Sequence, residues 1–115
     1  MTEVLLVCRC GEFVSIKAEG HASFAAKGKD IVCAAESVLL GTALEVLEQT
    51  EDIKVESSAG KRGKLEFSAH VVNGSENSKV LSERLKCTAD FLRNGFLSIS
   101  RQFPENVHFQ EITED

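Results

Sequence analysis

A cysteine and a histidine twelve positions apart have the side chains needed for nucleophilic attack on a carbonyl group. Asp30 is a residue type that commonly caps helices, which predicts that Cys33 lies in the first turn of a helix. The free N–H groups and partial positive charge there favour a thiolate. Ser37 follows four residues later, so its hydroxyl would share a helix face with the sulfur. With His21 as its base, Cys33 could carry out acyl transfer, although a cysteine in an apolar helix is more often a small core residue.

The segment that contains the histidine has the composition of a loop. Residues 20–29 contain mostly small side chains, lack a periodic apolar face and have Gly20 and Gly28 near their ends. Such a segment opens at little free-energy cost, so we expect a mobile loop that carries His21. Phe24 is its one bulky side chain. It would either close over hydrophobic residues of a substrate or simply pack on the protein's own core.

The remaining cysteines and histidines are weaker candidates for chemistry. Cys8 and Cys10 are two residues apart on a predicted strand and would share one face, but the second ligand pair of a zinc site is missing. Core packing is therefore favoured for them, and a structural role for Cys87 within a predicted helix. His70 and His108 fall on the polar faces of their predicted strands. The sequence thus predicts neither a metal site nor a cofactor.

The apolar periodicities predict five strands and two helices. Alternating apolar residues indicate strands, and spacings of three and four residues indicate helices. The strands are expected near residues 4–9, 13–19, 53–55, 65–71 and 107–109, and the helices near residues 30–49 and 81–103. The order β-β-α-β-β-α-β predicts an α+β fold: a two-layer sandwich of a mixed or antiparallel sheet with both helices on one face.

Length and composition indicate one domain over residues 1–115. Hydrophobic residues make up 43% of the chain, enough for a single core, and no linker is apparent. The net charge is −5, and the only basic cluster contains Lys61, Arg62 and Lys64, which argues against direct nucleic-acid binding. Neither a signal peptide nor a membrane span is recognisable, so we expect a cytoplasmic protein with reduced cysteines.

The first predicted helix is apolar around almost its whole circumference. Ile31, Val38 and Leu44 lie on different sides of it, which indicates burial on more than one side. The second helix could supply the extra cover. A second copy of the chain could also do so, and we expect a homodimer.

The segment from Gly20 to Ser37 resembles the signature of the bacterial ribosomal-processing cysteine protease family, called Prp. The matching residues are Gly20-His21-Ala22, then Gly28, then Asp30-Ile31-Val32-Cys33-Ala34-Ala35, then Ser37. The whole chain is also similar to the family in size and element order. Glu36 departs from the pattern, since a smaller or apolar residue is expected in relatives, and it could alter the rim of the site or the dimer contact.

The resemblance implies a role for each matching residue. His21 would be the catalytic histidine, Cys33 the nucleophile, and Asp30 and Ser37 polar residues that support the pair. Gly20 and Gly28 would bound a flexible loop that opens for substrate. The family is a two-layer sandwich that dimerises. Its task is to trim a short N-terminal extension from large-subunit ribosomal protein twenty-seven, cutting after a hydrophobic stretch.

The sequence therefore predicts a cysteine endopeptidase whose partner is the N-terminal peptide of a ribosomal protein precursor. Backbone N–H groups at the start of the first helix or around Gly20 would stabilise the oxyanion. Two alternatives are a ribosome-associated binding module without turnover and a thiol redox sensor in which Cys33 attacks no peptide. The intact His21–Cys33 pair favours the protease.

Overall fold

The computed structural model describes residues 1–26, 29–58 and 63–115. Gly28 and the basic residues Lys61 and Arg62 lie outside these ranges. Seven elements are present: β1 (Thr2–Arg9), β2 (Glu12–Gly20), α1 (Ile31–Glu48), β3 (Ile53–Ser58), β4 (Lys64–Val71), α2 (Ser78–Gln102) and β5 (Val107–Thr113). The predicted α+β class and element order are confirmed.

The five strands form one mixed sheet in the order β3-β4-β2-β1-β5. Strand β1 pairs antiparallel with β2, β2 with β4, and β3 with β4, whereas β1 and β5 run parallel. Parallel neighbours need a long crossover, and the 25-residue helix α2 provides it between β4 and β5. Strands β1 and β2 lie inside the sheet, and the end of β2 leads directly into His21, the predicted base.

One face of the sheet is buried beneath both helices. Along β1, the buried side chains of Thr2, Val4 and Leu6 alternate with Glu3 and Leu5, which are exposed or half-buried. Side chains from the sheet and from both helices belong to one continuous core cluster. The two-layer arrangement predicted from the element order is therefore present.

A bulge changes the alternation expected along β2. The β1 partner of Phe13 is Cys8, but the partner of Ser15 is Val7, so Val14 is an extra residue in the ladder. As a result Phe13 and Ile16 are both buried, while Val14 is only half-buried. Simple alternation along the strand predicts that Val14 and Ile16 lie on the same face. They differ in burial because the bulge at Val14 interrupts the alternation.

Two of the three cysteines outside α1, Cys10 and Cys87, do not lie where the sequence predicted. Cys8 is buried, as expected, but Cys10 is exposed in the turn between β1 and β2, with φ of 53° followed by 80° at Gly11. Two positive φ values are typical of a two-residue hairpin turn. The prediction that Cys8 and Cys10 share a strand face was therefore wrong. Cys87 is exposed on α2 rather than part of the core.

Helix α1 is covered by α2 on one side and is open on its outer side. Its buried residues are Val32, Glu36, Leu40, Ala43 and Leu47. Close packing of the helices depends on Gly95, where a Cβ atom would lie 2.9 Å from both methyl carbons of Leu39. Ile31 and Val38 on the outer side remain 60% and 65% exposed. Neither described helix is long and apolar enough to cross a membrane.

Candidate active site

The N-terminus of α1 is fixed by Asp30, as the sequence predicted. One carboxylate oxygen, Oδ1, accepts hydrogen bonds from the backbone N–H groups of Val32 and Cys33 at 3.0 and 2.9 Å. Asp30 itself has the extended backbone of a cap residue, with φ of −84° and ψ of 98°. Cys33 is thereby held in the first turn, with its side chain only half-buried.

The second oxygen of Asp30 holds the preceding loop. Oδ2 accepts hydrogen bonds from the N–H groups of Phe24 at 3.0 Å and Ala25 at 3.4 Å. These bonds, with the bond from Cys33 first, lower the pKa of the Asp30 carboxyl. No hydrogen bond or ion pair between Asp30 and His21 is found in the described part of the chain. Asp30 therefore joins the loop to the helix and does not orient the imidazole directly.

Two glycines allow the backbone to bring His21 to its position. Gly20 has φ of +94°, and a Cβ atom there would lie 2.5 Å from the carbonyl oxygen of Met1. The N–H of Gly20 donates to the carbonyl of Gly63 at 2.8 Å. A Cβ atom on Gly63 would lie 2.8 Å from Nε2 of His21. The role of Gly63 was not foreseen, because it depends on the pairing of distant strands.

His21 and Cys33 line the same surface cavity, which has a volume of about 360 Å³. The other lining residues are Thr2, Ala18, Gly20, Glu36, Ser37, Leu40, Gly41, Gly63, Lys64 and Leu65. Within the described residues, no hydrogen bond joins His21 to Cys33, and none joins Ser37 to Cys33. The structure thus brings His21, Cys33 and Ser37 to one cavity without hydrogen bonds from Cys33 to the other two.

The environment of Cys33 opposes ionisation of its thiol. Burial is the largest cause of its raised pKa, and the carboxylates of Asp30 and Glu36 raise it further. The backbone of Ala22 approaches the sulfur and lowers the pKa, but by less. Burial thus acts against the effect expected from placement at a helix N-terminus, and the charge of the capping Asp30 adds to it.

Glu36 is a buried acid in the wall of the cavity. It is only 6% exposed, and the Thr2 hydroxyl donates to its Oε2 at 3.1 Å. Its other oxygen, Oε1, is buried and has no hydrogen-bond partner among the described residues. Burial is the first cause of the raised pKa of Glu36, and the nearby Asp30 adds to it. The sequence marked this position as unusual but did not reveal that it is buried.

Part of the loop before α1 is anchored. Ala22 is fully buried, and its carbonyl accepts a hydrogen bond from Nδ2 of Asn106 at 2.8 Å. The Phe24 ring is 45% exposed and meets Phe103 edge to face, with centroids 5.1 Å apart. Of the two arrangements considered for Phe24, the structure therefore shows packing on the protein itself. Gly28, the proposed far end of the loop, lies outside the described residues.

The two predicted sources of oxyanion donors are engaged in other bonds. The N–H groups of Val32 and Cys33 bind the Asp30 carboxylate, and that of Gly20 binds Gly63. The backbone of Ala22, in contrast, faces the sulfur of Cys33. No group of three or more histidine, cysteine or acidic side chains positioned to hold a metal is found among the described residues.

Comparisons with known proteins agree on one family and one fold. The model of the family described as cysteine protease Prp matches residues 1–108. The crystal structure of the Staphylococcus aureus ribosomal processing protease Prp with a covalently linked product peptide is 18% identical, with a TM-score of 0.78 over 97% of this chain and 100% of that one. The same S. aureus protease with a substrate peptide gives 15% identity and a TM-score of 0.72, again over 97% and 100%.

A Streptococcus mutans protein, SMU.848, has the same fold. It is 24% identical, with a TM-score of 0.74 over 99% of this chain and 96% of that one. At these identities the structural likeness establishes the fold alone. No curated protein sequence is significantly similar to the chain.

Proposed function

Because the chain belongs to the cysteine protease Prp family, we propose that it is a cysteine endopeptidase that uses Cys33 as nucleophile and His21 as general base. Its proposed task is to trim a short N-terminal extension from large-subunit ribosomal protein twenty-seven, after a hydrophobic stretch. The observation that supports this best is that His21 and Cys33 line one cavity at the junction of β2 and α1. A ribosomal substrate implies that the reaction takes place in the cytoplasm.

The mechanism begins from a protonated thiol. Since burial and two carboxylates raise the pKa of Cys33, a standing thiolate–imidazolium pair is disfavoured, and His21 must remove the proton as the sulfur attacks. The scissile C–N bond then breaks, the same proton passes from His21 to the leaving amine, and the acyl group remains on Cys33 as a thioester. Water activated by His21 hydrolyses this thioester and regenerates the thiol.

The negative charge that develops on the carbonyl oxygen requires hydrogen-bond donors. We propose the Ala22 N–H as one of them, since the backbone of Ala22 already faces the sulfur. The N–H groups of Val32 and Cys33 at the start of α1 already donate to Asp30. Asp30 would thus support catalysis by fixing the loop and the helix relative to each other, and Ser37 by lining the cavity next to the nucleophile.

The relatives and the cavity both support the proposed substrate. The S. aureus protease has been captured with both a substrate peptide and a product peptide. The cavity beside Cys33 is open to the surface and lined in part by Ala18, Leu40 and Leu65. An extended peptide with hydrophobic residues before the scissile bond suits such a cleft, and the precursor of the ribosomal protein supplies one.

The test is cleavage of the complete precursor. Purified protein is incubated with the precursor of ribosomal protein twenty-seven, and the new N-terminus is identified by mass spectrometry. We expect a single cut after a hydrophobic stretch with the wild-type enzyme and with Cys87→Ala, which changes an exposed cysteine outside the cavity. Cys33→Ala should leave the precursor intact. Cleavage by Cys33→Ala at the wild-type rate would contradict the proposal.

A further inference from the structure

Glu36 combines three features that bear on the cleft. It is 94% buried, since only 6% of it is exposed. It lines the same cavity as His21 and Cys33. One of its carboxyl oxygens has no hydrogen-bond partner in the described part of the chain. A buried polar atom without a partner is unfavourable, so a residue in this state calls for an explanation.

Thr2 fixes this carboxyl group in place. The hydroxyl of Thr2 donates to Oε2 of Glu36 at 3.1 Å, and Thr2 lies opposite Gly20 in the β1–β2 ladder. The carboxyl group is therefore attached to the strand pair whose end carries His21. Only Oε1 is left without a partner. Because Glu36 lines the cavity and the terminal torsion of a glutamate is broad, a donor in the cavity can engage Oε1.

We propose that Glu36 forms a polar subsite in the cleft, which accepts a hydrogen bond from a neutral side chain of the substrate next to the scissile bond. The proposal rests on the proposed peptidase function and adds a selectivity to it. An asparagine, glutamine, serine or threonine side chain would give Oε1 its missing partner. A purely aliphatic side chain in the same place would leave Oε1 unsatisfied.

The electrostatics of the site favour a neutral side chain over a cation. Burial and the nearby Asp30 raise the pKa of Glu36, which disfavours the anion that a lysine or arginine would require. Lys64 also lines the cavity and places a positive charge on that wall, although its Nζ lies 3.4 Å from the Glu19 carboxylate. A neutral amide both donates and accepts hydrogen bonds, so it can pair with this buried carboxyl group in either protonation state.

The test uses peptide pairs that differ only in polarity. Asparagine and leucine have similar size and branching. Each is placed in turn at four positions of the peptide, two before the scissile bond and two after it. The kcat/KM ratio of the asparagine to the leucine peptide is measured for wild type, Glu36→Gln and Glu36→Met. Glu48→Met, a matched change at an exposed position of α1 outside the cavity, is the control, and thermal unfolding confirms that each variant is folded.

At one position, the wild-type ratio should exceed that of Glu36→Met by roughly tenfold to a hundredfold, the usual penalty for leaving a buried acceptor unpaired. Glu36→Gln keeps an acceptor oxygen and should retain most of the preference, and Glu48→Met should retain all of it. Equal ratios for wild type and Glu36→Met at all four positions would overturn the subsite. A preference for lysine over asparagine would overturn its neutral character.

Binding measurements separate this proposal from the peptidase proposal. Cys33→Ala and Cys33→Ala/Glu36→Met are titrated with the same peptides by calorimetry, so that no turnover is needed. If wild type cleaves no peptide but the binding preference depends on Glu36, the peptidase function fails and the subsite stands. If peptides are cleaved but neither cleavage nor binding depends on Glu36, the subsite fails and the peptidase function stands.

Discussion

The thiol of Cys33 lies near two acidic residues of its own segment, Asp30 at the helix cap and Glu36 one turn further on. Both carboxylates raise the pKa of the thiol, and burial raises it more. The dipole of a helix N-terminus acts in the opposite direction, but the capping anion offsets it. In the proposed mechanism the thiol therefore stays protonated until His21 removes its proton, which limits its reactions with other electrophiles.

This electrostatic effect can be measured in Glu36→Gln. The change removes a negative charge that raises the pKa of Cys33, so the pKa falls and more thiolate is present at neutral pH. Iodoacetamide should alkylate Cys33 roughly two- to tenfold faster at pH 7 than in the parent protein. A fall of one unit in the pKa of the thiol increases the thiolate fraction about tenfold. The parent for this comparison carries serine in place of Cys10 and Cys87, the two exposed cysteines.

Glu48→Gln in the same parent is the matched control, because it removes a charge from an exposed position of α1 outside the cavity. The pH dependence of the alkylation rate should shift to lower pH in Glu36→Gln and stay unchanged in Glu48→Gln. An unchanged profile in Glu36→Gln would show that this carboxyl group does not act on the thiol.

At the scale of the elements, the site depends on one joint between the end of β2 and the start of α1. Asp30 makes this joint by binding helix N–H groups through Oδ1 and loop N–H groups through Oδ2. Two glycines form the other half of this joint. Gly20 lets the backbone pass close to Met1, and Gly63 lets it pass close to the His21 ring. A change in either half should alter the distance between His21 and Cys33.

Asp30→Ala should lower the thermal unfolding midpoint by roughly 5 °C at pH 7, because it removes the helix cap. Asp30→Asn should lower it less, since asparagine also caps helices. The folded-state pKa of Asp30 is lowered, so its stabilising effect is complete above the ordinary pKa of about 3.9. The effect is lost as the pH falls through the lowered value. The midpoints of wild type and Asp30→Ala should therefore converge in acid.

A difference in midpoint that stays constant from pH 7 down to pH 2 would show that the carboxylate charge of Asp30 contributes nothing. Hydrogen exchange gives an independent check on the loop. The N–H groups of Phe24 and Ala25 should lose protection in Asp30→Ala, because both donate to the missing carboxylate.

Local sequence patterns predicted most of the helices and strands and the helix cap. The features that these patterns did not predict depend on long-range contacts. Asp30 could be identified as a cap because capping depends on residues within one turn. The β-bulge at Val14, the closeness of Gly63 to His21 and the burial of Glu36 all depend on which strands and helices meet. No periodicity within a single segment contains that information.

The direction of the pKa shift of Cys33 could not be predicted for the same reason. A helix N-terminus was recognisable from Asp30, and its expected effect is to favour the thiolate. The depth of the sulfur beneath the loop and its closeness to Glu36 emerge only when β2 and α1 are packed together.

For the whole molecule, the outer surface of the two helices is the feature that the isolated chain leaves unexplained. An apolar groove of about 420 Å³ lies between α1 and α2, lined by Thr42, Ala43, Val46, Arg84, Cys87, Thr88 and Phe91. Val46 and Phe91 are 43% and 45% exposed there. Because Val46 and Phe91 are exposed apolar side chains on neighbouring helices, we propose that the homodimer expected from the sequence has its interface on this surface.

Val46→Lys tests this placement. A charged side chain in the centre of an apolar interface is strongly unfavourable, so the variant should sediment as a monomer under conditions in which the wild type sediments as a dimer. Val72→Lys is the matched control, since Val72 is also 43% exposed but follows β4. A wild-type monomer, or a Val46→Lys variant that stays dimeric, would contradict the proposed interface.

We propose that Cys33 and His21 form one catalytic unit. A double-mutant comparison of peptide cleavage tests this most directly. The kcat/KM for a hydrophobic precursor peptide is measured for wild type, Cys33→Ala, His21→Ala and the double variant, with Cys87→Ala as control. Each single change should reduce kcat/KM by roughly 10³-fold or more, and the double change should lose no more than the worse single one, because the two residues act in the same step. A wild-type kcat/KM in Cys33→Ala would show that Cys33 is not the nucleophile. A loss in the double variant equal to the product of the two single losses would show that the residues act independently.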